Sequence, residues 1–167
     1  MIAVPVWALV LLCAAHLPHA ALLSAVDVRE HRLPNRLVLQ QALHVAAAAL
    51  IVGLATAQGM PGLWSALLLA AAVTAGAVIL SAALPSALGM GDAKTLFASV
   101  LMTALLGGQS VLGALLFLVI ASGTAAVLVL VRTRGQLGAS FAFGPIILAL
   151  PYGGLLMGPA ARSMLGL

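Results

Sequence analysis

The chain has 167 residues, 64% of them apolar and 6% charged, with seven Lys and Arg against three Asp and Glu and a net charge of +4. A mean hydropathy of +1.26 argues against a soluble core and for a polytopic helical membrane protein. The apolar runs are continuous rather than alternating, which argues against a β-barrel. A single bundle over residues 1–167, with no second domain, is expected. The one cysteine, Cys13, excludes a disulfide framework and a paired-cysteine zinc site and reads as a small core thiol. Most basic residues lie beside apolar runs, so membrane orientation rather than nucleic acid explains the charge.

Val4 to Val26 forms the first apolar run, interrupted by His16, Pro18 and His19. No basic segment precedes it, and it exceeds the roughly 7–15 residues of a signal-peptide core. It therefore reads as a first transmembrane helix, kinked near Pro18. His16 and His19 share a face and suit helix packing or an aqueous cavity; without further ligands they make no metal site. The most polar stretch follows, Asp27 to Arg36, within which Pro34 opens a new segment. A second run, Leu37 to Thr56, carries Gln40, Gln41 and His44, which are expected to face the bundle interior. Thr56 to Gly62 is an uncharged turn, and Leu63 to Leu84 is a third span, ended by Pro85 and Ser86.

Ala93 to Gly107 is a fourth run that reaches only about 22 Å at helical rise, short of the ~30 Å hydrocarbon core. It fits if the preceding Gly89–Lys94 segment dips below the membrane surface. Gly107 to Ser110 is a turn, and Val111 to Val131 a fifth span ended by Arg132 and Arg134. The last run, Phe141 to Ala161, is expected to be broken at Gly144-Pro145, Pro151, Gly153-Gly154 and Gly158-Pro159. The fold expected is an all-α membrane protein, a bundle of six transmembrane helices.

Threaded through six spans, Arg29, Arg32, Arg36, Lys94, Arg132 and Arg134 share one face, and the two turns opposite carry no charge. The positive-inside rule makes that face cytoplasmic, with both termini outside, in a multi-pass protein of the inner membrane. The acids are Asp27, Glu30 and Asp92. Asp27 and Asp92 fall on the same face at similar depth. An acid carried into an apolar run costs roughly 2.5–3.5 kcal/mol at the bilayer centre, marks a functional site and needs a partner.

Two carboxylates sharing a site do not both ionise easily. The ionised one can then act as base on a water while the protonated one donates to a scissile carbonyl. Hydrolysis follows without a metal or a covalent nucleophile. Gly89 and Gly91 permit unusual backbone angles and close approach of an extended peptide. The alternatives are that Asp92 caps the fourth helix and pairs with Lys94, and that Asp27 is a water-facing helix end beside Arg29 or Arg32. A rival class is a small proton-coupled transporter or channel subunit using intramembrane acids and histidines; an inactive assembly partner is a third. No inverted repeat is visible, and both acids lie near one face rather than at the midplane.

Asp27-Val28-Arg29 followed by Leu33-Pro34-Asn35 resembles the first catalytic motif of the prepilin peptidases, with leucine where isoleucine is commoner. Gly89-Met90-Gly91-Asp92-Ala93-Lys94 resembles their GxGD motif with its downstream lysine, and Phe143-Gly144-Pro145 is similar to the Phe-Gly-Pro segment of their last helix. The resemblance implies a GxGD aspartic protease-like bundle with Asp27 and Asp92 as the catalytic pair. Gly89, Gly91, Lys94, Pro34, Asn35, Gly144 and Pro145 would bind substrate or support the site. It further implies removal of the leader from type IV prepilins or pseudopilins at the cytoplasmic face, with no cofactor.

Larger members carry a cysteine-paired N-terminal domain associated with methylating the new N-terminus. This length and cysteine content look like the small Flp/Tad-type form, so proteolysis without methyl transfer is expected. The substrate's apolar helix is expected to dock laterally while its cleavage site unwinds near Gly89–Asp92 and Gly144-Pro145. Arg29, Arg32 and Arg36 would set orientation or bind anionic lipid. Glu30, the free acid of that surface, would meet a basic leader or serve as a solvated loop residue.

Overall fold

The computed structural model describes residues 4–56, 59–84, 88–134 and 142–166. These hold six helices: α1 (Val6–Glu30), α2 (Asn35–Ala55), α3 (Gly59–Ala83), α4 (Met90–Leu105), α5 (Gly108–Arg132) and α6 (Gly144–Met164). All but α4 are long and apolar enough to cross a membrane, the pattern of a multi-pass membrane protein. With 16 residues, α4 reaches about 24 Å, short as its sequence implies.

The short helix is the central one, for α4 touches each of the other five. That position explains its composition. Thr95, Ser99 and Thr103 are buried, and two of their hydroxyls are satisfied within the helix. Thr95 Oγ1 donates to the Asp92 carbonyl at 2.8 Å and Thr103 Oγ1 to the Ser99 carbonyl at 2.7 Å. Hydroxyl-bearing faces are tolerated at membrane depth where protein rather than lipid surrounds them.

The main apolar core joins Leu12 of α1, Val45 and Val52 of α2, Leu63 of α3, and Leu101 and Met102 of α4. A smaller cluster of Ala20, Leu23, Val38 and Leu148 lies towards the end that carries Asp27, with Leu33 and Leu37 packed against it. His16 stands between the two clusters on α1 and is fully buried. Its Nδ1 lies 3.0 Å from the Tyr152 hydroxyl and its Nε2 3.4 Å from Ser99 Oγ. An imidazole with one N–H donates from one nitrogen and accepts at the other, so both contacts are satisfied. Gln41 is equally buried, and neither atom of its amide has a partner among the described residues.

Of the breaks expected in the last run, Gly144-Pro145 marks the start of α6, and those at Pro151, Gly153-Gly154 and Gly158-Pro159 do not occur, the helix running unbroken to Met164. Pro145 falls in its first turn, where a missing N–H costs no hydrogen bond. The glycines serve α5 instead. A Cβ at Gly113 would strike the Gly154 carbonyl and the Gly158 backbone, one at Gly154 the Ser110 carbonyl, and one at Gly153 the Phe117 ring. Small residues let two backbones approach closely, which is how helices gain contact where lipid removes the hydrophobic drive. Gly107, at φ 105°, makes the tight α4–α5 turn in a conformation that side chains resist. With α5 already begun at Gly108, that turn is shorter than the four residues expected.

Other expectations need correction. α1 runs past Val26 to Glu30 with Pro18 inside it, and α4 starts at Met90 rather than Ala93. Of the polar residues early in α2, only Gln41 faces the interior; Gln40 and His44 are exposed. At about 100° per residue Gln41 is turned well away from Gln40, with His44 on the flank between them. His44 Nδ1 instead meets His19 Nε2 at 3.2 Å. Pro85 and Ser86, Phe141, and the middle of the Thr56–Gly62 turn lie outside the described residues.

Candidate active site

Asp27 belongs to a stripe of α1 residues, Leu12, His16, Ala20, Leu23 and Asp27, that is buried along its length. The stripe turns the carboxylate inward, and Asp27 is only 5% exposed. α1 ends one turn later at His31, which adopts φ 48° and ψ 35° and donates its N–H to the Asp27 carbonyl at 2.8 Å. That left-handed cap closes the helix.

The side chain has a specific partner. The Gly144 N–H, at the start of α6, donates to Asp27 Oδ2 at 3.1 Å. Helix N-termini hold anions because their first N–H groups are unpaired and aligned. Glycine leaves room for that bond: a Cβ at position 144 would sit 2.6 Å from Asp27 Oδ2 and displace the carboxyl.

Asp92 lies in the first turn of α4, where a negative charge is likewise favoured. The flanking glycines act differently from the expectation of unusual backbone angles. Gly89 has φ −69° and ψ 142°, and Gly91 is helical; any residue adopts both conformations. Space is again what they supply. A Cβ at Gly89 would lie 3.2 Å from Asp92 Oδ2, and one at Gly91 would lie 3.1 Å from Leu33 Cβ. Gly91 thus lets the α1–α2 connection close over the start of α4.

These elements enclose a cavity of about 370 Å³ at one end of the bundle, lined by Asp27, Gly89, Gly91, Asp92, Asn35 and Lys94, with His31, Arg32, Leu33 and Met90. The two acids thus share one cavity. Lys94 Nζ donates to Asn35 Oδ1 at 3.1 Å, tying the first turn of α4 to the first turn of α2. Lys94 thus reaches Asn35 rather than Asp92, and Asp27 is buried against the start of α6, while Asp92 stands in the first turn of α4. Glu30 is not free: it meets Arg32 at 3.9 Å, an exposed pair of the kind that contributes at most about 1 kcal/mol.

Of the expected site residues, Asp27, Asp92, Gly89, Gly91, Asn35 and Lys94 line the cavity, and Gly144 touches it through Asp27. Pro34 and Pro145 do not line it; they stand at the starts of α2 and α6. Sequence reading missed His31 and Met90 as lining residues and Leu33 as the side chain packed on Gly91. The tight Leu33–Gly91 fit is tertiary and left no local signal. Among the described residues no group of three His, Cys, Asp or Glu side chains is placed to hold a metal ion. No family model matches the chain, and no curated protein or solved structure matches it.

Proposed function

We propose that the protein is a membrane-embedded aspartic endopeptidase that removes the leader from type IV, Flp-type prepilins or pseudopilins at the cytoplasmic face of the inner membrane. The observation that carries this reading is one cavity lined by Asp27 and Asp92, acids 65 positions apart in a chain with three. The motif resemblance supplies the substrate class. α4 completes a six-span bundle, its crossing made possible by the five helices around it.

In this reading the pair shares a proton. The ionised carboxylate takes a proton from a water whose oxygen attacks the scissile carbonyl carbon, while the protonated carboxyl donates to the carbonyl oxygen. The resulting diol then collapses: one hydroxyl returns its proton to the carboxylate that had donated, the C–N bond breaks, and the proton gained by the base passes to the leaving amine. Gly144 holds the Asp27 carboxylate in place throughout. Lys94 and Asn35 fix the start of α4, which carries Asp92, against the start of α2. Neither a cofactor nor methyl transfer enters the reaction.

The test is the purified protein in proteoliposomes with a full-length prepilin, read by the mass of the product and by a pH dye inside the vesicle. Cleavage at the leader–helix junction without proton flux supports the peptidase. Flux without cleavage replaces it with a proton carrier.

A further inference from the structure

The proposed chemistry leaves open where the substrate's apolar helix lies. Among the described residues a lateral opening lies beside the site, between α3 and α5. The backbones of α3 and α5 nowhere come together, and between them runs an apolar groove of about 230 Å³. Its walls include Val73 of α3 and Leu115 of α5, and its floor is Leu96, Val100 and Thr103 of α4. Those floor residues follow Asp92 at intervals of four, four and three, one continuous face of the helix. The groove begins about 6 Å along α4 from Asp92 and ends about 16 Å from it. Thr103 adds no unmet polar group, since its hydroxyl is bonded within α4.

We infer that this α3–α5 groove seats the first turns of the substrate's apolar helix, directly after the scissile bond. The inference rests on the peptidase reading and adds the docking site. A volume of this size takes a ridge of side chains rather than a whole helix, as ridges-into-grooves packing requires. A helix lying there along α4 has its cytoplasmic end about one turn from Asp92. A second groove, between α1 and α2, contains His19, His44 and Ile51. It lies across α1 from the buried stripe that bears Asp27, so a helix there would have to pass around the α1–α2 connection.

The experiment places a photo-crosslinking residue at Leu115, Val73 or Ile51 in the Asp92→Asn background, co-expressed with the prepilin, alongside cleavage assays of Leu115→Trp and Leu128→Trp. Leu115 and Leu128 are both exposed on α5, but only Leu115 lines the groove. Expected are prepilin adducts from Leu115 and Val73 and none from Ile51. Cleavage should slow roughly tenfold in Leu115→Trp, which overfills the groove, and stay at the wild-type rate in Leu128→Trp. Adducts from Ile51 alone, adducts to lipid alone, or an unchanged rate in Leu115→Trp overturn the groove while leaving the peptidase standing, provided wild type cleaves. Absence of cleavage by wild type removes the peptidase reading and the groove with it.

Discussion

Replacing Gly144 by alanine isolates the contact between α6 and Asp27. Position 144 is helical, so alanine suits the backbone and even favours the helix by up to about 1 kcal/mol over glycine. Its Cβ, however, would stand 2.6 Å from Asp27 Oδ2 and 3.0 Å from Cγ, well inside contact distance. Relief requires the carboxyl to swing away, which breaks the 3.1 Å bond from the Gly144 N–H. Hydrogen bonds to charged groups contribute about 1.5–3 kcal/mol, and each 1.36 kcal/mol is tenfold in rate. Leader cleavage should therefore fall roughly ten- to hundredfold with the protein still folded. The assay is initial rate on a prepilin in proteoliposomes, with the thermal midpoint in detergent as the control. An unchanged rate would mean that Gly144 does not hold the catalytic acid, and the mechanism would lose its positioning element.

Three other outcomes follow from the same geometry. The cleavage rate should be bell-shaped in pH, falling in acid as both carboxyls protonate and in alkali as both ionise; a rate that only rises with pH would exclude a shared proton. His16→Leu should destabilise by about 1–3 kcal/mol by orphaning Ser99 and Tyr152, and combining it with Tyr152→Phe should cost less than the sum of the two single changes in thermal unfolding. Gly154→Val should lower the midpoint through its clash with the Ser110 carbonyl, whereas Gly123→Val, with nothing within 4 Å of its Cβ, should leave it unchanged.

The helix order was legible because each apolar run is bounded by charge, proline or glycine, and Asp27 and Asp92 stood out because acids are costly in such a chain. What local pattern could not reveal is what a residue packs against. The glycines of α6 look like helix breakers in sequence, yet they are contact points for α5, since the lipid and the partner helix that decide between these roles are both absent from the pattern. Gln40, Gln41 and His44 look alike as polar residues in an apolar run, but only Gln41 is turned into the bundle, and which face of α2 is covered depends on its neighbours. Gly91 is legible as part of a motif; its reason, the β-carbon of Leu33 from another helix connection, is not.

The most direct measurement is leader removal from a co-expressed prepilin by wild type, Asp27→Asn and Asp92→Asn, with membrane levels of each variant confirmed on the same gel. A shared dyad predicts cleavage by wild type and a loss of at least about a hundredfold in each variant, the scale of a general acid or base. Cleavage that survives in either single variant would contradict the two-acid site.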